Sequence, residues 1–183
     1  HLVTVGSEGS TAHPSSGNNF VKDHESEYID YTTIHIWIQN WGWFNPTDKQ
    51  SLSTSIDRVQ TYINEHEKLA IKLNKPVVLE EFGISRDYNN YSSNSSVSLR
   101  DKYFNKVFDI ISLKTKNGSP LAGSNFWAWG GFGRPIRPKS IWGKNDQFIG
   151  DPPHEFQGWY SIYNSDLSTI KIIKNFASKF NNM

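Results

Sequence analysis

The chain has 183 residues, a formal net charge of +1 and no cysteine. This length is enough for one domain with a hydrophobic core, and the near-neutral charge gives no sign of a nucleic-acid partner. The lack of cysteine excludes disulfides and thiolate metal sites. No apolar run approaches the roughly 18 residues of a membrane span, so we expect a protein without nucleic-acid or membrane partners.

Short apolar runs alternate along the chain with longer amphipathic segments. The runs are rich in β-branched and aromatic residues and predict strands at Leu2–Gly6, Tyr31–Ile38, Pro76–Gly83 and Ala122–Trp129. The segments between them have apolar residues at helical spacing and predict helices at Asn18–Glu27, Leu52–Asn74, Leu99–Lys116 and Thr169–Phe180. This β-α alternation predicts an α/β fold with a parallel sheet and helices outside it.

Four βα units are half of a (β/α)8 barrel (TIM barrel), which typically needs about 250 residues. The chain also opens inside a predicted strand, which suggests that something upstream is absent. A small doubly wound domain is the alternative, but Gly130-Gly131-Phe132-Gly133 opens a long irregular loop and not a helix. The long loops Ser85–Ser98 and Gly130–Gly158 both follow strand ends, where a barrel carries its active site.

Two acidic residues, Glu80 and Glu81, lie at the end of the third predicted strand. A buried parallel strand should be almost entirely apolar, so these carboxylates are costly unless they face a polar site. Strand alternation places them on opposite faces, which predicts that only one points along the barrel axis. The alternative is an exposed strand end whose carboxylates simply meet water.

The neighbouring strand ends carry residues suited to a sugar site. His35 and Trp37 share one face of the second strand by the period-2 rule, and Trp127 and Trp129 share one face of the fourth. Tryptophan rings stack on sugar rings while polar groups fix the hydroxyls. A satisfied structural histidine is the alternative for His35, and core packing is the alternative for the aromatic residues.

These strand ends resemble family 5 of the glycoside hydrolases: Glu81-Phe82-Gly83, His-x-aromatic before it and Phe126-Trp127 after it. The resemblance covers residues 1–183 and corresponds to strands five to eight of the family barrel, the C-terminal half of one catalytic domain. The longer strings at 3–9, 35–43, 150–153 and 157–159 are similar to those of bacterial endo-β-1,4-mannanases.

The resemblance implies catalytic roles for residues of two strands. Glu81 would be the nucleophile that forms a covalent glycosyl-enzyme, and His35 would hydrogen-bond within the catalytic centre. Trp37 stands where the family usually has a tyrosine that hydrogen-bonds the nucleophile, and its indole nitrogen can only donate. Glu80 has no inherited role, and we expect it in a supporting network.

The resemblance also implies substrate contacts. Trp127 would be the platform beneath the sugar at the reacting subsite, with Trp129 nearby. Trp41 and Glu8 would line the substrate cleft, together with Trp37. The substrate would be a polysaccharide or oligosaccharide, and no cofactor or metal is expected, because His66-Glu67 lacks the second histidine of a zinc-protease helix.

The second carboxyl of a retaining mechanism is missing. In the family it lies in an Asn-Glu-Pro-type motif ending strand four, upstream of residue 1. Asn64-Glu65 lies in a predicted helix and is not that motif, and Glu8 matches a cleft residue. We therefore expect this chain to be inactive alone and to need the N-terminal half of the barrel as a partner.

The predicted function is retaining hydrolysis of β-1,4-mannosidic bonds in mannan. Two alternatives stay open: a β-1,4-glucanase of the same family, and a non-catalytic carbohydrate-binding half-barrel that uses the tryptophan-rich rim. A polymeric substrate would imply a secreted or periplasmic protein.

Overall fold

A computed structural model describes residues 1–10 and 18–181. One parallel sheet contains the strands β1 (Thr32–Ile36), β2 (Val77–Phe82) and β3 (Leu121–Ser124), in that order. A second, two-stranded parallel sheet pairs β4 (Trp129–Gly131) with β5 (Ile162–Tyr163). The helices are α1 (Phe20–His24), α2 (Ser51–Leu73), α3 (Ser98–Lys116) and α4 (Leu167–Phe180), and a 3₁₀ turn spans Asp87–Asn89.

All four predicted helices are present, and α2 shows why their ends could be read from the sequence. Asn74 adopts the left-handed conformation with φ 54°, and its N–H bonds back to the carbonyls of Ala70 and Ile71. Asparagine tolerates this conformation better than most residues, so it ends the helix just before Pro76. In the described part of the chain, no helix is long and apolar enough to cross a membrane.

The core lies between the three-stranded sheet and helices α2 and α3. Phe82 of β2 packs against Phe104 and Phe108 of α3, with ring centroids 4.9 and 5.6 Å apart. Phe108 in turn stacks on Phe176 of α4 at 4.1 Å, which fixes α4 beside α3. The fully buried aliphatic residues of this core include Ile34, Ile36, Val59, Ile63, Val77, Leu79 and Ile111.

The predicted strand Leu2–Gly6 is wrong: the segment is extended but is not a strand. Val3 N donates to the Asp30 carboxylate at 2.6 Å, and Thr4 Oγ1 donates to the carbonyl of Tyr31 at 2.7 Å. Thr33 Oγ1 reaches the carbonyl of Val5 at 2.7 Å. Apart from the bond from Asp30 N to the carbonyl of Val3 at 2.8 Å, side-chain oxygens therefore make the hydrogen bonds in place of a regular backbone ladder.

The predicted strand Ala122–Trp129 is also wrong in its bounds, because two strands share this segment. β3 ends at Ser124, although Trp127 N still donates to the carbonyl of Phe82 on β2 at 2.8 Å. Beyond this point the chain pairs with another segment, since Ile162 N donates to the carbonyl of Ala128. The two-residue strand β5 formed there was too short to be recognised from its pattern.

A buried charge cluster joins the segment after β2 to helix α3 and to the N-cap of α4. Nη2 of Arg86 donates to both carboxylate oxygens of Asp166 at 2.8 and 2.6 Å, and Arg100 lies 3.5 Å from the same carboxylate. Neither guanidinium side chain is exposed to solvent. Burial and the charge of Arg86 lower the pKa of Arg100 to about 10. One carboxylate thus sits between two buried cations.

Two buried histidines, His24 in α1 and His66 in α2, are held as neutral rings. Nδ1 of each faces the carbonyl one helical turn earlier, at 2.7 and 2.8 Å. Nε2 of His24 accepts from Thr33 N at 3.1 Å, and Nε2 of His66 accepts from Ser10 N at 2.8 Å. An imidazolium could not accept these bonds. Burial lowers the pKa of both rings below the ordinary value.

We expect the free energy of unfolding to fall as the pH drops below about 6.5, the pKa of an unfolded histidine. Below this pH His24 and His66 bind protons in the unfolded chain but stay neutral in the folded protein. The free energy of unfolding then falls by up to about 1.4 kcal/mol per pH unit for each ring. Urea unfolding at several pH values measures this slope. His66→Gln should flatten it, and the same change at the exposed His154 should leave it intact. An unchanged slope in His66→Gln contradicts the assignment.

Candidate active site

A bulge in β2 places both glutamates against one histidine. The register pairs Ile34 with Leu79 and then His35 with Glu81, so Glu80 is the extra residue. Nε2 of His35 lies 3.2 Å from Glu80 Oε2, and its Nδ1 lies 3.2 Å from Glu81 Oε2. The expectation that alternation separates the two carboxylates is therefore wrong, because the bulge suspends the alternation at this point.

Glu81 is partly buried at the end of β2, with a side-chain exposure of 26%. Burial raises the pKa of Glu81, and the nearby charges of Glu80 and Glu8 raise it further. His35 and the Trp37 side chain act in the opposite direction and lower it. The Trp37 side chain thus favours the charged form of the carboxylate, at the position where the resemblance has a tyrosine.

Glu81 opens into a cleft with a volume of about 340 Å³. Five of the residues singled out from the sequence meet here: Glu8, Trp37, Trp41, Glu81 and Trp127. His35 lies behind the carboxylates and is 8% exposed. Within the cleft the Glu81 carboxylate is therefore held by a histidine, and aromatic rings form much of the wall around it.

The close approach of Trp127 to β2 depends on Gly83. A Cβ atom at this position would lie 2.4 Å from the carbonyl oxygen of Trp127, and that oxygen belongs to the backbone and cannot move freely. The Trp127 ring meets the Trp37 ring edge-on, with centroids 6.2 Å apart. Glycine in the sequence Glu81-Phe82-Gly83 therefore leaves the room that brings a tryptophan beside the nucleophile candidate.

Trp129 is not brought to the cleft. It lies on β4 with 54% of its surface exposed, and it does not contribute to the cleft lining formed by the described residues. The sequence placed Trp127 and Trp129 on one face by assuming a single continuous strand. Because β3 ends at Ser124 and β4 begins at Trp129, that alternation does not hold across the two tryptophans.

Four further lining residues received no role from the sequence. They are Asn40, Pro152, Glu155 and Tyr160. Tyr160 OH donates to Asn40 Oδ1, and the Tyr160 ring lies 5.4 Å from the Trp37 ring. Asn40 and Pro152 lie inside the strings that carry the family resemblance, so position in those strings was the available signal.

The described residues contain no group of three or more His, Asp or Glu side chains that could hold a metal ion. A carboxylate beside aromatic walls can attack an electrophilic carbon of a bound sugar, while the rings exclude water and stack on the sugar face.

A family model described as "GH family 5 beta-mannosidase-like" matches residues 1–183. A family 5 mannosidase from Rhizomucor miehei is 36% identical with a TM-score of 0.85, and this chain covers 44% of it. A mutant of that enzyme was solved in complex with mannosyl-fructose. Mannan endo-1,4-beta-mannosidase 5 of Arabidopsis thaliana is 29% identical over 88% of this chain, which covers 37% of that protein.

An endo-β-1,4-mannanase from Thermotoga petrophila, with 23% identity and a TM-score of 0.56, supports the α/β fold alone. The similarity therefore reaches plant and fungal enzymes and is not specific to the bacterial ones. The chain spans less than half the length of each of these relatives.

Proposed function

Because the chain belongs to the β-mannosidase-like group of glycoside hydrolase family 5, we propose that it supplies the nucleophile half of a retaining β-mannan hydrolase. The observation that carries the proposal is Glu81 in a cleft lined by tryptophans, with its carboxylate 3.2 Å from Nδ1 of His35. The substrate is a polysaccharide or oligosaccharide with β-1,4-mannosidic bonds, as the names of the relatives suggest.

The proposed reaction has two steps. Glu81 attacks the anomeric carbon, the bond to the leaving oxygen breaks, and a second carboxyl group gives that oxygen its proton. Water then attacks the covalent glycosyl-enzyme after losing its proton to the same second carboxyl, and Glu81 leaves as a carboxylate. Trp127 stacks on the sugar, while His35 and Trp37 hold Glu81 in the orientation for attack.

The second carboxyl is proposed to come from the upstream half of the barrel. Residues 1–183 would then be strands five to eight and their helices, the C-terminal half of one catalytic domain. The proposal is supported by the share of its relatives that the chain covers, 44% of the Rhizomucor miehei enzyme. The upstream half is thus a partner of this chain, and the polymeric substrate favours a secreted or periplasmic location.

We expect the chain alone to release no reducing sugar from mannan, and the chain supplied with the upstream half of the barrel to do so. Initial rates on mannan and on cellulose, with the two halves separate and combined, measure this. A faster rate on cellulose would instead identify a β-1,4-glucanase. Retardation on galactomannan gels without hydrolysis in any combination would identify a carbohydrate-binding half-barrel, because stacking on tryptophan needs no acid.

A further inference from the structure

We propose that Asp151, together with Gln157, is a positioning residue that folds residues 151–160 into one wall of the cleft. Neither side chain lines the cleft. Both act through the residues to which they are hydrogen-bonded. They contribute to the affinity for sugar, and they do not change the rate at which the glycosidic bond is cleaved. The consequence for sugar binding rests on the proposed function, but the positioning itself does not.

The carboxylate of Asp151 closes the segment from one end. It is buried, with a residue exposure of 7%. Its Oδ1 accepts from Tyr160 N at 2.8 Å, and its Oδ2 accepts from Gly158 N at 2.8 Å and from Ser161 Oγ at 2.6 Å. Three donors on one buried carboxylate join residue 151 to residues 158–161 and turn the segment into a closed loop.

The amide of Gln157 fills the inside of this loop. Its Nε2 lies 3.3 Å from the carbonyl oxygen of Asp151, 2.9 Å from that of Pro152 and 3.2 Å from that of Glu155. Gln157 is only 2% exposed. Backbone N–H groups of the loop therefore donate to the Asp151 carboxylate, and backbone carbonyls of the loop face the Gln157 amide. The two side chains thus provide partners for backbone donors and for backbone acceptors.

The loop presents three residues to the cleft, Pro152, Glu155 and Tyr160. Tyr160 is the direct link, because its backbone N–H is held by Asp151 while its ring lies 5.4 Å from Trp37. From behind, Nη1 of the buried Arg100 donates to the carbonyl of Ser161 at 3.1 Å. The backbone on either side of the Tyr160 ring is thus fixed by Asp151 and Arg100, and neither of these charged residues lines the cleft.

Asp151→Asn is the informative change. It keeps the size of the side chain but turns one oxygen into an NH₂ group that faces backbone donors, which leaves at least one buried N–H without an acceptor. The matched control is Asp146→Asn. Asp146 lies in the same long loop and accepts from Gly143 N at 2.8 Å, but it does not line the cleft.

The experiment is titration of mannotetraose against tryptophan fluorescence in the chain combined with the upstream half of the barrel. Every protein in this titration carries Glu81→Ala so that the sugar is not hydrolysed, and the kinetics below are measured with Glu81 in place. Asp151→Asn should weaken binding by about tenfold, which is the effect of about 1.4 kcal/mol, while Asp146→Asn should bind as the parent does. With an activated aryl β-mannoside, KM should rise and kcat should stay within about threefold of the parent. Parent-like affinity in Asp151→Asn overturns the proposal.

Gln157→Glu provides a second variant if Asp151→Asn does not fold. It places an acceptor against three carbonyl oxygens, and the same loss of affinity is expected. If the parent protein binds no mannotetraose, the proposed function fails, and hydrogen exchange of the amides of Gly158 and Tyr160 decides the positioning separately. Faster exchange at these two amides in Asp151→Asn, and not in Asp146→Asn, supports the proposal, whereas unchanged protection overturns it.

Discussion

Replacing Glu81 by alanine should lower kcat/KM on mannan by about 10⁴-fold or more in the assembled barrel. The change removes the group proposed to attack the anomeric carbon, and loss of a nucleophile in covalent catalysis has effects of this order. Reducing-sugar release from mannan measures the loss. Circular dichroism should show an unchanged fold, because the Glu81 side chain points into a cleft and is a quarter exposed.

Azide distinguishes a lost nucleophile from a general loss of activity. In Glu81→Ala, azide can enter the space of the missing carboxylate and attack an activated β-mannoside from that side, which gives an α-mannosyl azide. Glu80→Ala is the matched control, because Glu80 contacts the other nitrogen of His35 but does not line the cleft. Formation of β-mannosyl azide in Glu81→Ala would mean that Glu81 is the acid/base and not the nucleophile.

Asp166→Asn should destabilise the protein by about 3–5 kcal/mol. It removes the only negative charge in contact with Arg86 and Arg100 among the described residues and leaves two buried guanidinium groups beside each other. Breaking one partner of a buried ion pair has effects of this size because the remaining charge is uncompensated. Urea unfolding measures the free energy of unfolding. The dependence of this free energy on urea concentration should be the same in both proteins, so that the midpoints can be compared.

Asp109→Asn is the control for charge removal as such, since Asp109 lies on the exposed side of α3. It should change the free energy of unfolding by less than about 0.5 kcal/mol. Adding Arg86→Met to Asp166→Asn should restore part of the lost free energy of unfolding, because it removes one of the two uncompensated cations. If the double variant is no more stable than Asp166→Asn, repulsion between the two arginines is not the cause.

The sequence predicted the helices well because each has apolar residues at helical spacing, which pack on the sheet in α2 and α3 and on a neighbouring helix in α1 and α4. Leu2–Gly6 and Ala122–Trp129 failed for a different reason. Their composition favours strands, but their backbone groups form hydrogen bonds with residues that are distant in the sequence, such as Asp30 and Ile162. The order of apolar and polar residues within a segment does not identify these distant partners, so it could not locate the strand ends.

The candidate site was predictable to the extent that regular strands place residues. Glu81, Trp37 and Trp127 stand at the ends of neighbouring strands and meet in the cleft. Glu80 departed from its predicted face because of one extra residue in the ladder. The loop residues Glu155 and Tyr160 were not predicted, because their position depends on hydrogen bonds to Asp151 and Gln157 that have no periodicity.

The indole of Trp37 has one more consequence, for behaviour in alkali. A phenol that hydrogen-bonds a nucleophile loses its proton near pH 10 and then repels the carboxylate, whereas an indole N–H is a donor only and does not ionise in this range. Trp37 and Glu81 line the same cleft, and the indole therefore keeps its N–H donor there at any pH at which the protein stays folded. For the proposed mannan hydrolase we therefore expect the upper pH limit to be set by the group that delivers a proton to the leaving oxygen, and not by ionisation of the residue at position 37.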